Sequence, residues 1–176
     1  MIYRKLIVDE YNDLFDIEGL EYIELSSDFP KIREYTMSIV NQAPEDFKEG
    51  NLLEQQISEI IKNGIKHGNK NNAQKKLKIW YSFKKRVRFI AEDEGDGFQN
   101  LDEWNIFFMN RQKALAENDF DTFVQLANYR SKSSDESDGG NSLIAALEYW
   151  NGGMIWNQKK NKIGVIRWFT NGFSRI

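Results

Sequence analysis

Residues 52–68 read LLEQQISEIIKNGIKHG, and one hairpin later residues 87–98 read VRFIAEDEGDGF. In the first stretch Leu53, Ile57, Ile60, Ile61 and Ile65 recur at helical spacing and define one buried face. Glu59, Asn63 and His67 fall at i, i+4 and i+8, so they form a polar stripe beside that face. A polar stripe that borders a core is placed to line a cleft. Lys62 and Lys66 turn further round, toward water. In the second stretch Val87, Phe89 and Ala91 alternate as a strand does, and Asp93 falls on their side. A carboxylate on the core-facing side needs a partner. Gly95 and Gly97 follow, and glycines at a strand's end let backbone or ligand come close.

Working outward, Leu77, Ile79, Tyr81 and Phe83 alternate with Lys78, Trp80 and Ser82, which predicts a strand. Lys84-Lys85-Arg86 makes the turn of the hairpin. Upstream, Tyr3 to Val8 and Leu20 to Leu25 read as short strands, the first within an accessory edge strand or dimer-forming arm spanning residues 1–19. Ser27, Asp28 and Pro30 predict a helix start with a side-chain cap and a proline in the first turn. Ile32, Tyr35, Ile39 and Val40 supply that helix's buried face. Gln42 to Gly50 reads as a connector. Downstream, residues 99–138 are the least regular part, with helical spacing around Trp104 to Asn110 and Thr122 to Tyr129. Compact domains rarely carry so long an irregular insertion without a functional reason. Ser142 to Trp150 predicts a helix stopped by Asn151-Gly152-Gly153. A last hairpin, Met154 to Asn157 and Ile163 to Thr170, turns through Gln158-Lys159-Lys160-Asn161. Trp80, Trp150, Trp156 and Trp168 follow strand or helix spacing and are assigned to packing.

The 176 residues fit a single domain, and 14% aromatic content supports a real core. A net charge of −3 gives no general electrostatic reason for nucleic-acid or membrane binding. No cysteine is present, which excludes disulfides, zinc–thiolate sites and a thiol nucleophile. The N-terminus MIYRKLIVDEYND lacks a signal-peptide core, and no apolar run reaches membrane-spanning length. The cytoplasm is the expected compartment.

A helix carrying E-x-x-x-N, followed by a hairpin ending in D-x-G-x-G, resembles the GHKL superfamily of ATPases. Asn63-Gly64-Ile65-Lys66-His67, DEGDGF and the short spacing between them look most like the anti-sigma-factor serine kinases of bacterial partner switching. The resemblance runs from about Leu20 to Phe169 and is weaker after Gly97. It implies a Bergerat fold: an α/β two-layer sandwich whose mixed, mainly antiparallel sheet carries helices on one face. It also implies ATP and Mg²⁺ as cofactors, with residues 99–138 as the ATP lid. By resemblance Glu59 is the catalytic base and Asn63 holds magnesium. Asp93 binds the adenine amino group, while Gly95 and Gly97 let the base approach. The chemistry suits the spacing, since magnesium prefers hard oxygen ligands and a carboxylate one turn earlier can accept a hydroxyl proton. Phosphoryl transfer depends mainly on such positioning and charge neutralisation.

A second glycine box precedes a helix whose amides hold phosphate in the family. Its counterpart here is Asp138-Gly139-Gly140-Asn141-Ser142-Leu143, with Gly139 and Gly140 matching. Ser142 stands where another glycine is expected, and Asn141 where leucine is usual. Arg130 and Lys132 are candidates to reach the γ-phosphate from the lid. The implied partners are a sigma factor and an anti-anti-sigma antagonist phosphorylated on serine, with a homodimer common in that branch. His67 is assigned a structural role.

Three other readings compete. A non-catalytic GHKL-fold binding module with a degenerate nucleotide site is the first. The second is a detached histidine-kinase catalytic domain, disfavoured by the short hairpin and the lack of a preceding phosphoacceptor helix. Third, Glu92, Glu94, Asp96, Gly97 and Glu103 match positions of a calcium-binding EF-hand loop. Glutamate at the first two ligand positions, and a strand where a helix should enter, count against calcium.

Overall fold

The computed structural model describes residues 4–126 and 142–169. Their architecture is a two-layer α/β sandwich built on a six-stranded sheet of order β1-β5-β6-β4-β3-β2. The strands are β1 (Ile7–Val8), β2 (Glu21–Ser26), β3 (Lys76–Ser82), β4 (Val87–Glu92), β5 (Gly153–Trp156) and β6 (Lys162–Arg167). Only β1 against β5 is parallel; the other four pairings are antiparallel. The helices are α1 (Ile32–Val40), α2 (Glu45–Lys48), α3 (Leu52–Asn63), α4 (Leu101–Ala116), α5 (Phe120–Gln125) and α6 (Ser142–Tyr149).

Strand alternation decides which face meets the helices. Leu77, Ile79 and Tyr81 of β3 and Val87, Phe89 and Ala91 of β4 are buried together with Val165 of β6. Ile39 of α1, Leu53, Ile57 and Ile61 of α3, and Trp104 and Phe108 of α4 complete the same core. Ile57, Ile61, Ile79 and Phe89 are all 0% exposed, so the centre of the sandwich is dry. Each such side chain stabilises the fold by about 1.5–3 kcal/mol relative to exposure.

The opposite face is covered at one end by the N-terminal segment. A 3₁₀ turn, Asp13–Phe15, lays Leu14 and Phe15 over Gly164, where a Cβ would stand only 3.2 Å from each. Arg88 on that face donates to the Asp16 carbonyl. Further along, Tyr22 and Trp80 pair at 5.1 Å between ring centroids, and the Lys162 ammonium lies 5.1 Å from the Trp80 ring. Residues 9–19 are therefore a strap across the back of the sheet.

Several local expectations shift. The strand expected at Tyr3 to Val8 forms ladder pairs only at Ile7 and Val8, because residues 4–6 are bonded to helix side chains instead. The helix expected from Ser27 begins with a 3₁₀ turn at Phe29–Lys31, and α1 starts at Ile32. Asp28 makes no side-chain cap bond there, and Ser27 is fully buried with its hydroxyl serving Asn69. Inside the expected connector lies α2, and inside the expected irregular stretch lies the sixteen-residue α4. Of the helical spacing read over Thr122 to Tyr129, the first residues belong to α5, Phe120–Gln125, and residues 127–129 lie outside the described residues. Trp168 is 45% exposed, with the Arg86 guanidinium 4.3 Å from its ring centroid. Among the described residues no helix is long and apolar enough to cross a membrane.

Candidate functional site

α3 passes directly into a π-helical turn, Gly64–Gly68, in which the Asn69 N–H donates to the Gly64 carbonyl at 2.8 Å. Single π turns are rare and concentrate at functional sites. Two glycines give this turn its position. A Cβ on Gly64 would stand 2.5 Å from Leu77 Cδ1, so the helix comes down onto β3 there. A Cβ on Gly68 would stand 2.3 Å from the Asp93 carboxyl carbon. The end of the turn therefore leaves exactly one side chain's room, and Asp93 uses it.

Asp93 follows the last residue of β4 and is fixed through its own main chain. Its N–H donates to the Asn161 carbonyl at 2.9 Å, and Asn161 Nδ2 donates back to the Asp93 carbonyl at 2.6 Å. The Gly95 N–H donates to Asp93 Oδ1 at 2.7 Å. Asp93 Oδ2 has no hydrogen-bond partner among the described residues. Burial pushes the carboxyl up to about 6, against the pull of the Gly95 N–H and of Lys159 and Lys75, while Glu92 adds to the rise.

The acidic turn itself is held by Asn69. This side chain is 0% exposed; its Oδ1 accepts the Glu94 N–H at 2.7 Å. Its Nδ2 donates to Ser27 Oγ at 2.8 Å and to the Lys76 carbonyl at 3.0 Å. On the far side, the Phe98 N–H donates to the Lys160 carbonyl at 2.9 Å. Gly97 at φ +84° lies so close that a Cβ would meet the Lys159 carbonyl oxygen at 2.0 Å. The turn between β5 and β6 is thus a bracket for residues 93–98.

These elements enclose a cavity of about 400 Å³, within the roughly 300–1,000 Å³ of small-molecule sites. Glu59, Asn63 and His67 form its helical wall, and Asp93, Gly97 and Phe98 form the wall from the acidic turn. Leu77, Ala91 and Ile163 make an apolar floor. Trp104 of α4, Trp156 of β5 and Ser142 with Leu143 of α6 close the far side. Glu59 is about a third exposed and stands 3.6 Å from the Lys62 ammonium.

Glu59, Asn63, Asp93, Gly97 and Ser142, singled out from the sequence, therefore open onto one space. Gly95 is different. It is buried behind Asp93, where a Cβ would meet the Gly68 carbonyl oxygen at 2.1 Å, so its smallness serves the contact between the two motifs. Arg130, Lys132, Gly139 and Gly140 lie outside the described residues, as does the rest of the stretch 127–141. The calcium-loop acids do not converge. Glu92 pairs with Lys162 at 3.1 Å, Glu94 accepts the Lys76 N–H, and Asp96 stands 4.0 Å from Lys70. Among the described residues no three acidic, histidine or cysteine side chains are grouped to hold a metal ion.

Sequence reasoning missed Asn69, Asn161 and Trp104. The first two sit in polar, asparagine-bearing turns whose partners are 25 and 68 residues away, so no local pattern marks them. No protein-family model matches this chain, and no curated protein matches it.

Proposed function

We propose that the chain is an ATP- and magnesium-dependent protein serine kinase of the anti-sigma-factor type, acting in the cytoplasm. On this reading it binds a sigma factor and phosphorylates an anti-anti-sigma antagonist on serine. The observation that carries the reading is the meeting of Glu59, Asn63 and Asp93 on one cavity of cofactor size. The residues fit the group they would hold. A purine offers N–H donors on a flat apolar body, and the Asp93 carboxylate opens onto the same cavity as Phe98, Ala91 and Ile163. Asn63 offers a neutral oxygen, and magnesium usually takes only one or two protein ligands because phosphates and water supply the rest. Ser142, at the first residue of α6, stands where helix amides favour a phosphate.

Bound there, ATP with its magnesium ion supplies the transferable phosphoryl group and neutralises its charge. The chain's own part is to hold and to accept a proton. Asp93 anchors the base, Asn63 orients the metal, and the apolar floor excludes water. Glu59 would accept the proton of the incoming serine hydroxyl. The GHKL resemblance of the two motifs, Glu59-x-x-x-Asn63 and Asp93-x-Gly95-x-Gly97, supports this division of labour.

Calorimetric titration with ATP, with and without magnesium, tests the reading. Wild type is expected to bind in the micromolar range with magnesium, and Asp93→Asn to lose at least tenfold. Glu59→Gln should keep that affinity while hydrolysis of ATP falls about 10²–10⁴-fold. Absence of binding by wild type would refute the proposal. A second reading, a non-catalytic GHKL-fold binding module with a degenerate nucleotide site, is favoured by Ser142, whose side chain narrows the approach a glycine would leave. Retained binding of a protein partner with no affinity for nucleotide would select it.

A further inference from the structure

The first described residues are held by side chains more than by the sheet. Asn105 of α4 accepts the Leu6 N–H at 2.7 Å and donates to the Leu6 carbonyl at 3.0 Å. Seven residues on, Gln112 repeats the pattern on Arg4, at 2.9 Å from its N–H and 2.8 Å to its carbonyl. Residues two apart in an extended chain turn their N–H and C=O groups to the same side. One helix can therefore satisfy both, and each amide stands in for a neighbouring strand. Leu6, held in this way, is 2% exposed and belongs to the main core.

The same short segment touches two further elements. Arg4 Nη1 donates to the Leu147 carbonyl of α6 at 3.3 Å. Ile7 and Val8 pair with Ile155 and Trp156 of β5, and the Asp9 N–H donates to the Trp156 carbonyl at 2.9 Å. α4, α6 and β5 are the three elements that close the far side of the cavity, through Trp104, Leu143 and Trp156. Trp104 is the residue immediately before Asn105.

We infer that residues 4–8 are a tie that positions these three walls, and that Asn105 and Gln112 are positioning residues for ligand binding. The inference deepens the nucleotide reading and rests on it for the identity of the ligand. With the tie in place, α4 presents Trp104 to the cavity at a fixed depth. When the tie is released, α4 loses four hydrogen bonds, the core loses Leu6, and α6 loses its bond to Arg4. By reciprocity, a ligand that packs against Trp104 tightens the tie by the same factor that the tie tightens the ligand.

Amide hydrogen exchange on the full chain tests this, comparing wild type with Asn105→Ala and with the milder Gln112→Ala. Exchange should quicken at residues 101–116 and 142–149 as well as at 4–8, while β3 and β4 stay protected. A change confined to residues 4–8, or a uniform rise in Gln112→Ala, would overturn the inference. In parallel, titration with magnesium and ATP should show about tenfold weaker binding in Asn105→Ala, within the usual range of coupling between sites. Unchanged affinity in that variant would also overturn it. If wild type binds no ATP, the nucleotide reading fails, and the exchange pattern still decides the tie because it needs no ligand.

Discussion

Asp93→Asn is expected to stabilise the protein at neutral pH while removing its anchor for a ligand. Burial lifts the Asp93 carboxyl from 3.8 to about 6, so the folded state holds this proton more firmly than the unfolded chain does. Below about pH 4 the group is neutral in both states and the burial carries no penalty. As pH rises from about 4 to about 6 the unfolded chain ionises first, and the native state loses stability; above about 6 the whole penalty is present. A rise of about two units corresponds to ~3 kcal/mol at ~1.36 kcal/mol per unit. Water reaches Asp93 from the cavity, and after discounting for that screening about 1–2 kcal/mol remains. Asparagine carries no charge at any pH, and its side-chain oxygen can still accept the Gly95 N–H. Urea denaturation of both proteins across about pH 4 to 8 measures the difference. The variant should gain about 1–2 kcal/mol over wild type by pH 7.5, with the gap closing toward pH 4. A gap that stays constant with pH, or one that widens on acidification, would show that Asp93 is not an ionised group held at a cost.

The remaining predictions concern the glycines and asparagines around that carboxylate and the strap behind the sheet. Gly95→Ala drives a Cβ to 2.1 Å from the Gly68 carbonyl oxygen and should destabilise by about 1–3 kcal/mol. Gly64→Ala meets only the side-chain end of Leu77 at 2.5 Å, with no backbone atom in the way, and should be the milder of the two in thermal unfolding. Asn69→Ala leaves the buried Ser27 hydroxyl, the Glu94 N–H and the Lys76 carbonyl without their partner, with an expected loss of about 1–3 kcal/mol by urea titration. Gly164→Val puts a Cβ 3.2 Å from Leu14 and from Phe15 and two methyls beyond it, so the strap must lift, and limited proteolysis should then cut residues 9–19 well before the core.

Much of the sandwich is legible because its central elements are periodic. β3 alternates cleanly and β4 nearly so, since one face meets the helices and the other is half-buried, with Ile90 alone fully covered there. α3 carries its isoleucines on one side and its polar stripe on the border, so both the core and the cavity wall can be read from it. The N-terminal region is harder. Its order comes from amides on α4 about a hundred residues away, and Tyr3 to Val8 looks like an ordinary strand. α4 is legible only in part. Helical spacing shows around Trp104 to Asn110, but Ile106 and Met109 remain exposed at 58% and 45% while Trp104 and Phe108 face inward, so the 3.6-residue signal blurs before the helix reaches Ala116. At the site, charge and glycine patterns point to Asp93 and its turn. The asparagines that hold this turn are invisible because burial of a polar side chain is decided by distant partners.

Sheet order also bears on how the molecule is made. β6 is the last described strand in the chain, yet it lies inside the sheet between β5 and β4. During synthesis Val87–Glu92 must wait with one side unsatisfied until residues 162–167 leave the ribosome, a row of free amides and carbonyls open to strangers. The cavity floor is divided between Ala91 and Ile163, one on each of these strands. A nascent chain stopped short of β6 has both sequence motifs and half of the floor, so competence arrives in one step, when β6 joins the sheet.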